Sequence, residues 1–190
     1  MTDDRRPPSE PPDKAPAVHV GSRVIVNTGH GKGKTTAALG TAMRAVARGW
    51  KVCVVQFMKS EKWKVGEQDA GIRLGMEWWT LGDGFTWESP DMDITRTTAV
   101  AAWDAARAKL RSGDYDMLVF DEITYPMNWA WISTQEVVDA IRSRPPQVNV
   151  VATGRDAPAE LIAVADTVTE MVKVRHAFDE GIRARRGIEF

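Results

Sequence analysis

One stretch limits what this chain can fold into: Gly29-His30-Gly31-Lys32-Gly33-Lys34-Thr35-Thr36. An apolar run, Val24-Ile25-Val26, precedes it, and a helix-forming run from Ala37 to Arg48 follows and stops at Gly49. Glycines between a buried strand and a helix N-terminus are the setting of a phosphate-binding loop. They let backbone N–H groups converge on an anion where a Cβ would block the approach. The helix end adds unpaired N–H donors and a partial positive charge. Lys34 is placed to reach phosphate oxygens, and the Thr35 hydroxyl to sit on a magnesium (or manganese) ion. Where the standard pattern has its first glycine this chain has Thr28, so the first glycine, Gly29, comes one residue late. Many chemistries share such a loop, so the loop alone does not give the reaction.

The rest of the chain must supply a sheet for the loop to end. With 190 residues, 43% of them hydrophobic, it can bury one well-packed α/β domain and is short for two. Residues 1–20 read as a disordered Pro-rich arm, since five of the ten prolines fall before Ala17. Residues 21–190 read as the domain, ending in a basic tail with Lys173, Arg175, Arg183, Arg185 and Arg186. A net charge of −1 offers no basic field for nucleic acid. The single cysteine, Cys53, sits in an apolar run and reads as a buried small hydrophobe. With no disulfide, no apolar run of membrane-spanning length and no secretory signal at the start, a cytoplasmic protein is expected.

Strand-like and helical runs alternate. Lys51 to Phe57 is a second strand, Met76 to Leu81 a third, and Asp93 to Arg111 a long helix closed by Gly113. Tyr125 to Arg142 reads as one helical segment. Val148 to Ala152 is a further strand, Pro158 to Ala165 a short helix, and Thr167 to Val172 the last strand. This alternation predicts a doubly wound, mainly parallel sheet with ligands at the carboxyl ends of its strands. Asp116 to Glu122 is the second chemical signal, an apolar strand ending in Asp121-Glu122. In phosphate-loop folds a carboxylate there holds the magnesium ion or its water; either residue fits. Gly82 to Trp87 and Thr153-Gly154-Arg155 also fall at strand ends. In an extended Gly-rich loop, Phe85 and Trp87 put both rings on one side.

Several stretches together resemble one family, the corrinoid adenosyltransferases that make adenosylcobalamin or its precursors from ATP. They are the loop from Thr28 to Ala38, Gly84-Phe85-Thr86-Trp87-Glu88, Phe120 to Tyr125, Thr153-Gly154-Arg155, Ala165 to Met171, and the ending from Lys173 to Ile182 with Arg186 to Phe190. The family shares the late first glycine; His30 and Phe190 depart from its usual residues. The resemblance implies a phosphate-loop, RecA-like fold and one reaction. Cobalt(I) of a reduced corrinoid attacks the 5′ carbon of ATP, and triphosphate leaves whole. It implies ATP contacts from Thr28 through Thr36, with Arg44 and Arg155 as further candidates. It implies metal binding by Thr35 with Asp121 or Glu122, and favours Glu122. Phe85 and Trp87 match the positions that displace the lower axial ligand of the corrinoid. A homodimer and a flavoprotein or other reductant complete the expectation. A phosphate-loop ATPase or kinase, and a nucleotide-dependent switch module, also fit the loop. Neither explains Gly82 to Trp87 or the tail.

Overall fold

The computed structural model describes residue 18 and residues 20–58, 66–81 and 92–189. The N-terminal arm up to residue 17, the Gly82-to-Trp87 loop with Phe85 and Trp87, and Phe190 lie outside the described residues. The elements run β1 Val24–Thr28, α1 Lys34–Val46, β2 Val52–Gln56, α2 Gly66–Arg73, β3 Glu77–Thr80, α3 Met92–Ser112, β4 Met117–Asp121, α4 Thr124–Asn128, α5 Thr134–Arg142, β5 Asn149–Thr153, α6 Ala159–Ile162 and β6 Thr167–Glu170.

Among the described residues the strands form one six-stranded sheet in the order β3-β2-β4-β5-β1-β6, and every pairing is parallel. β2, β4 and β5 are buried along their whole length, as continuous apolar runs covered on both faces must be. Their side chains alternate between two cores. On one face Val24, Val26, Cys53, Val55, Leu118, Phe120, Val150 and Ala152 meet α3, α5 and α6 through Trp103, Leu110, Val137, Ile141 and Leu161. On the other, Val52, Val54, Met117, Val119 and Val151 meet Ala38, Ala42 and Ala45 of α1. Small residues on that helix let it lie close to the sheet, which fixes the axis along which the phosphate loop enters it. The sheet is doubly wound, as the alternation predicts. β5 stands between β1 and β4, the phosphate-loop, RecA-like arrangement.

The segment from Tyr125 to Arg142 is not one helix. α4 ends at Asn128, and Ala130 takes a left-handed φ of 53°. The N–H groups of Trp131 and Ile132 then bond back to the Pro126 carbonyl. Ser133 starts α5 by accepting a hydrogen bond from the Glu136 N–H, and Ser133-Thr134-Gln135-Glu136 is a capping-box sequence that marks this start. Of the tryptophans, Trp103 is core, its ring 6.1 Å from that of Phe120 and edge-on to it. Trp50, Trp79 and Trp129 are 38–40% exposed and do not fill the interior. Burial pushes the Cys53 thiol up to about 12, so it packs as an inert apolar group.

The edge strand β3 is tied down by charge. Glu77 accepts hydrogen bonds from Lys109 Nζ (2.6 Å), Trp79 Nε1 (2.6 Å) and the Tyr115 hydroxyl (2.6 Å). Lys109 also lies 4.1 Å above the Trp79 ring. The hydrogen bonds, first that from Lys109, hold the Glu77 carboxyl down to about 2. A depressed carboxylate stabilises the fold above its unfolded value, about 4.3, and that contribution is lost as pH falls toward 2. Glu77→Gln is therefore expected to destabilise the protein at pH 7 by about 1 kcal/mol, discounted for solvent screening. The difference from wild type should shrink to a small part of this at about pH 2, where the carboxyl is half protonated, and vanish below it. Denaturant titrations at the two pH values check it, and an equal loss at both would show that charge is not the cause.

Candidate active site

The loop between β1 and α1 is shaped by what lies against it. Gly31 donates its N–H to the Met171 carbonyl at 2.6 Å, and Met171 N–H bonds the Thr28 carbonyl at 2.8 Å. A Cβ on Gly31 would stand 2.7 Å from the Met171 and Val172 carbonyl oxygens, so the chain leaving β6 admits only glycine there. Gly33, at φ 114°, turns the chain into α1, a conformation that favours glycine. The late first glycine now has a physical reason. Thr28 is still in β1, paired with Glu170, and its hydroxyl accepts the Ala157 N–H at 3.1 Å. Thr28 thus pins the loop after β5 to the phosphate loop, and the glycines begin only where the loop turns under Met171.

Lys34 Nζ donates to the carbonyls of Gly29 and Gly31, both at 2.7 Å, so the ammonium closes the loop into a ring. Burial, then the charge of Arg155, lowers its basicity, while Glu122, Asp121 and Asp156 act against this. Thr35 Oγ1 donates to Asp121 Oδ1 at 2.8 Å, and Thr153 Oγ1 donates to the same oxygen at 2.8 Å. Gln56 Nε2 donates to Asp121 Oδ2 at 3.0 Å, and Gln56 Oε1 accepts from Trp78 Nε1 at 3.0 Å. Asp121 is fully buried beneath Thr35. Glu122 is different: its φ of 63° is left-handed, uncommon for a residue with a side chain. Its N–H is fixed by Thr153 Oγ1 at 2.9 Å, and it lines the cavity above.

That cavity holds about 580 Å³, within the range of small-ligand sites. Lys32, Gly33, Lys34, Thr35 and Thr36 form its floor. Glu122, Tyr125 and Arg155 form one wall, and Leu39, Gly40 and Met43 on one face of α1 form another. The Arg155 carbonyl is held by Thr124 Oγ1 at 2.6 Å and by Asn128 at 3.3 Å, which fixes where the arginine leaves the backbone. The arrangement can bind a polyphosphate over the helix end and cations, place hard oxygen donors beside it, and leave an apolar wall for a base.

Of the residues expected at the site, Lys32 through Thr36, Glu122 and Arg155 line this cavity. Asp121 does not line it and is hydrogen-bonded to Thr35, which does. Thr28, Gly29 and Gly31 shape the loop from behind. His30 turns to Asp156, Nε2 to Oδ1 at 3.0 Å, and is exposed. Arg44 is one residue past Met43 on α1, bonds Thr41 Oγ1 at 3.4 Å and does not line the cavity. The sequence carries no sign of Gln56 at the site; Thr153, Tyr125 and the C-terminal turn at Gly187, Ile188 and Glu189 fall in stretches that carry the resemblance but had no role assigned to them. Gln56 and Thr153 carry a signal after the fact: each is a polar end to an otherwise apolar, buried strand.

Fold and site define a phosphate-loop nucleotide-binding protein of the α/β class. The sequence matches, over residues 21–190, the family described as ATP:corrinoid adenosyltransferase BtuR/CobO/CobP. It is 41% identical over 167 residues to the corrinoid adenosyltransferase of Escherichia coli (strain K12), covering 88% of this chain and 85% of that one. The same identity and coverage hold for the corrinoid adenosyltransferase CobA of Salmonella typhimurium (strain LT2). The corrinoid adenosyltransferase of Pseudomonas aeruginosa is 40% identical over 169 residues, 88% of this chain and 83% of that one. The chain belongs to the ATP:corrinoid adenosyltransferase family, and by that membership it is a transferase.

Proposed function

We propose that this cavity binds ATP with its triphosphate on Lys32 to Thr36 and transfers the 5′-deoxyadenosyl group to a reduced corrinoid. The cobalt(I) lone pair forms the cobalt–carbon bond, and the C5′–oxygen bond breaks with its electron pair leaving on triphosphate. The observation that carries this reading is the Gly33-Lys34-Thr35 turn at the α1 N-terminus facing a cavity walled by Glu122 and Arg155. Loop N–H groups, Lys32 and Lys34 stabilise charge that develops on the leaving group. The Thr35 hydroxyl and the Glu122 carboxylate are hard oxygen donors of the kind magnesium takes alongside substrate phosphates and water. Bound there, the ion neutralises leaving-group charge. Asp121 orients Thr35, and Arg155 supplies a further cation. We further read the enzyme as a cytoplasmic homodimer supplied with electrons by a flavoprotein or another reductant. Among the described residues no helix is long and apolar enough to cross a membrane.

The test is the product. Incubation with ATP, magnesium and chemically reduced cobalamin should yield a light-sensitive cobalt–carbon product and free triphosphate; ADP with inorganic phosphate would instead make it an ATPase, and ADP with a phosphorylated product a kinase. Phe85 and Trp87 enter this proposal by resemblance alone, as the pair that presses on the corrin and displaces its lower ligand. The double variant Phe85→Ala/Trp87→Ala should fail with cobalt(II) and a mild reductant, and recover much of its rate with pre-reduced cobalt(I). Equal loss from both starting states would assign the rings to holding ATP or the loop.

A further inference from the structure

The cavity has a wall to which the proposed chemistry gives no role. Gly187, Ile188 and Glu189 line it together with the phosphate loop. They belong to a tight turn: the N–H groups of Ile188 and Glu189 both bond the Arg185 carbonyl at 3.0 Å, and Gly187 sits at φ 84°. The Glu189 side chain folds back, its Oε2 accepting the Arg185 N–H at 2.8 Å. Its other oxygen, Oε1, stands 3.9 Å from Lys32 Nζ in the phosphate loop. A carboxylate is thus held by its own backbone in the cavity where the phosphate-binding cations converge.

A carboxylate and a polyphosphate cannot share Lys32 without repelling each other. After the transfer step, the triphosphate keeps every loop contact it had in ATP and has lost only the adenosyl group, so its departure is the step that needs help. We infer that Glu189 competes with the triphosphate product for Lys32 and speeds its release. This rests on reading the loop as the triphosphate site. ATP meets the same repulsion and loses affinity by a similar factor, which saturating ATP makes good, so at saturation the effect shows in product release. The side chains of Lys32 and Glu189 are 49% and 28% exposed, so the pair is partly screened. The expected effect is that of a surface ion pair, about two- to fivefold in affinity.

The experiment measures inorganic tripolyphosphate binding to the full chain by calorimetry, and its inhibition of turnover, for wild type, Glu189→Gln and Glu189→Asp. Glu189→Gln should bind tripolyphosphate about two- to fivefold more tightly. Its multiple-turnover rate should fall while its single-turnover rate holds, and the difference from wild type should shrink as salt is raised. Glu189→Asp, which keeps the charge, should stay near wild type. A damaged fold can only weaken binding, so tighter binding cannot come from misfolding. Unchanged or weaker binding by Glu189→Gln overturns the assignment. A wild-type chain that does not bind tripolyphosphate overturns the loop reading itself, and the assignment with it.

Discussion

Lys34→Ala is expected to lower turnover by about two to three orders of magnitude, the usual cost of removing one preorganised donor to a developing anion. The ammonium bridges the carbonyls of Gly29 and Gly31. Those carbonyls are acceptors, so a bound triphosphate gives Lys34 a stronger partner, and the bridge exchanges for phosphate oxygens. The charge matters most when the C5′–oxygen bond breaks and negative charge concentrates on the leaving group. The loss should therefore persist at saturating ATP, in kcat as well as in kcat/KM. The fold should survive, because the loop is also held by Gly31 to Met171, Met171 to Thr28, and Ala157 to Thr28. Single-turnover rates with pre-reduced cobalamin, set beside a thermal melt, check both halves. A near-normal rate at saturating ATP would take Lys34 out of the chemistry.

What could be read from the sequence was what short-range chemistry dictates. A strand, a Gly-rich turn, Lys34-Thr35 and a helix form a local unit, so the phosphate loop was legible. So was β4, whose apolar run from Met117 ends in Asp121-Glu122. Relations between strands distant in sequence were not legible. Gln56 and Thr153 serve Asp121 only because β2, β4 and β5 lie side by side. Nothing near residue 56 or 153 announces that neighbour. The late glycine was visible as an anomaly, but its cause, β6 passing over Gly31, lies some 140 residues further along the chain. Arg44 was a candidate contact whose facing on the helix the sequence did not settle. The cavity-facing side of α1 carries Thr36, Leu39, Gly40 and Met43, and the next residue turns away from it. The break between α4 and α5 was missed: Ser133-Thr134-Gln135-Glu136 carries a capping-box signal that the reading of one helical segment passed over, and Ala130 takes a left-handed φ that no residue type demands.

The second large effect separates the two carboxylates at the end of β4. The sequence left either one able to serve the metal; the backbone sets them apart. Asp121 Oδ1 accepts from Thr35 and Thr153 and Oδ2 from Gln56, so its oxygens are committed to the frame. Glu122, turned by its φ of 63°, is the one that reaches the cavity wall. Glu122→Gln should therefore raise the magnesium concentration needed for half-maximal rate by at least about tenfold and leave the melting temperature near wild type. Asp121→Asn should behave otherwise. With its amide nitrogen toward Gln56 Nε2, two donors face each other. Flipped, it confronts Thr35 and Thr153, and the Thr153 oxygen already accepts the Glu122 N–H. One buried donor is left unsatisfied in either orientation, a cost of about 1–3 kcal/mol. That corresponds to a melting temperature lower by roughly 2–12 °C for a chain of this size. Magnesium titrations of the rate and thermal melts of both variants separate the roles. An unchanged magnesium requirement in Glu122→Gln, or a wild-type melt for Asp121→Asn, would reverse the assignment, because each readout moves only if its carboxylate does the work its oxygens are placed to do.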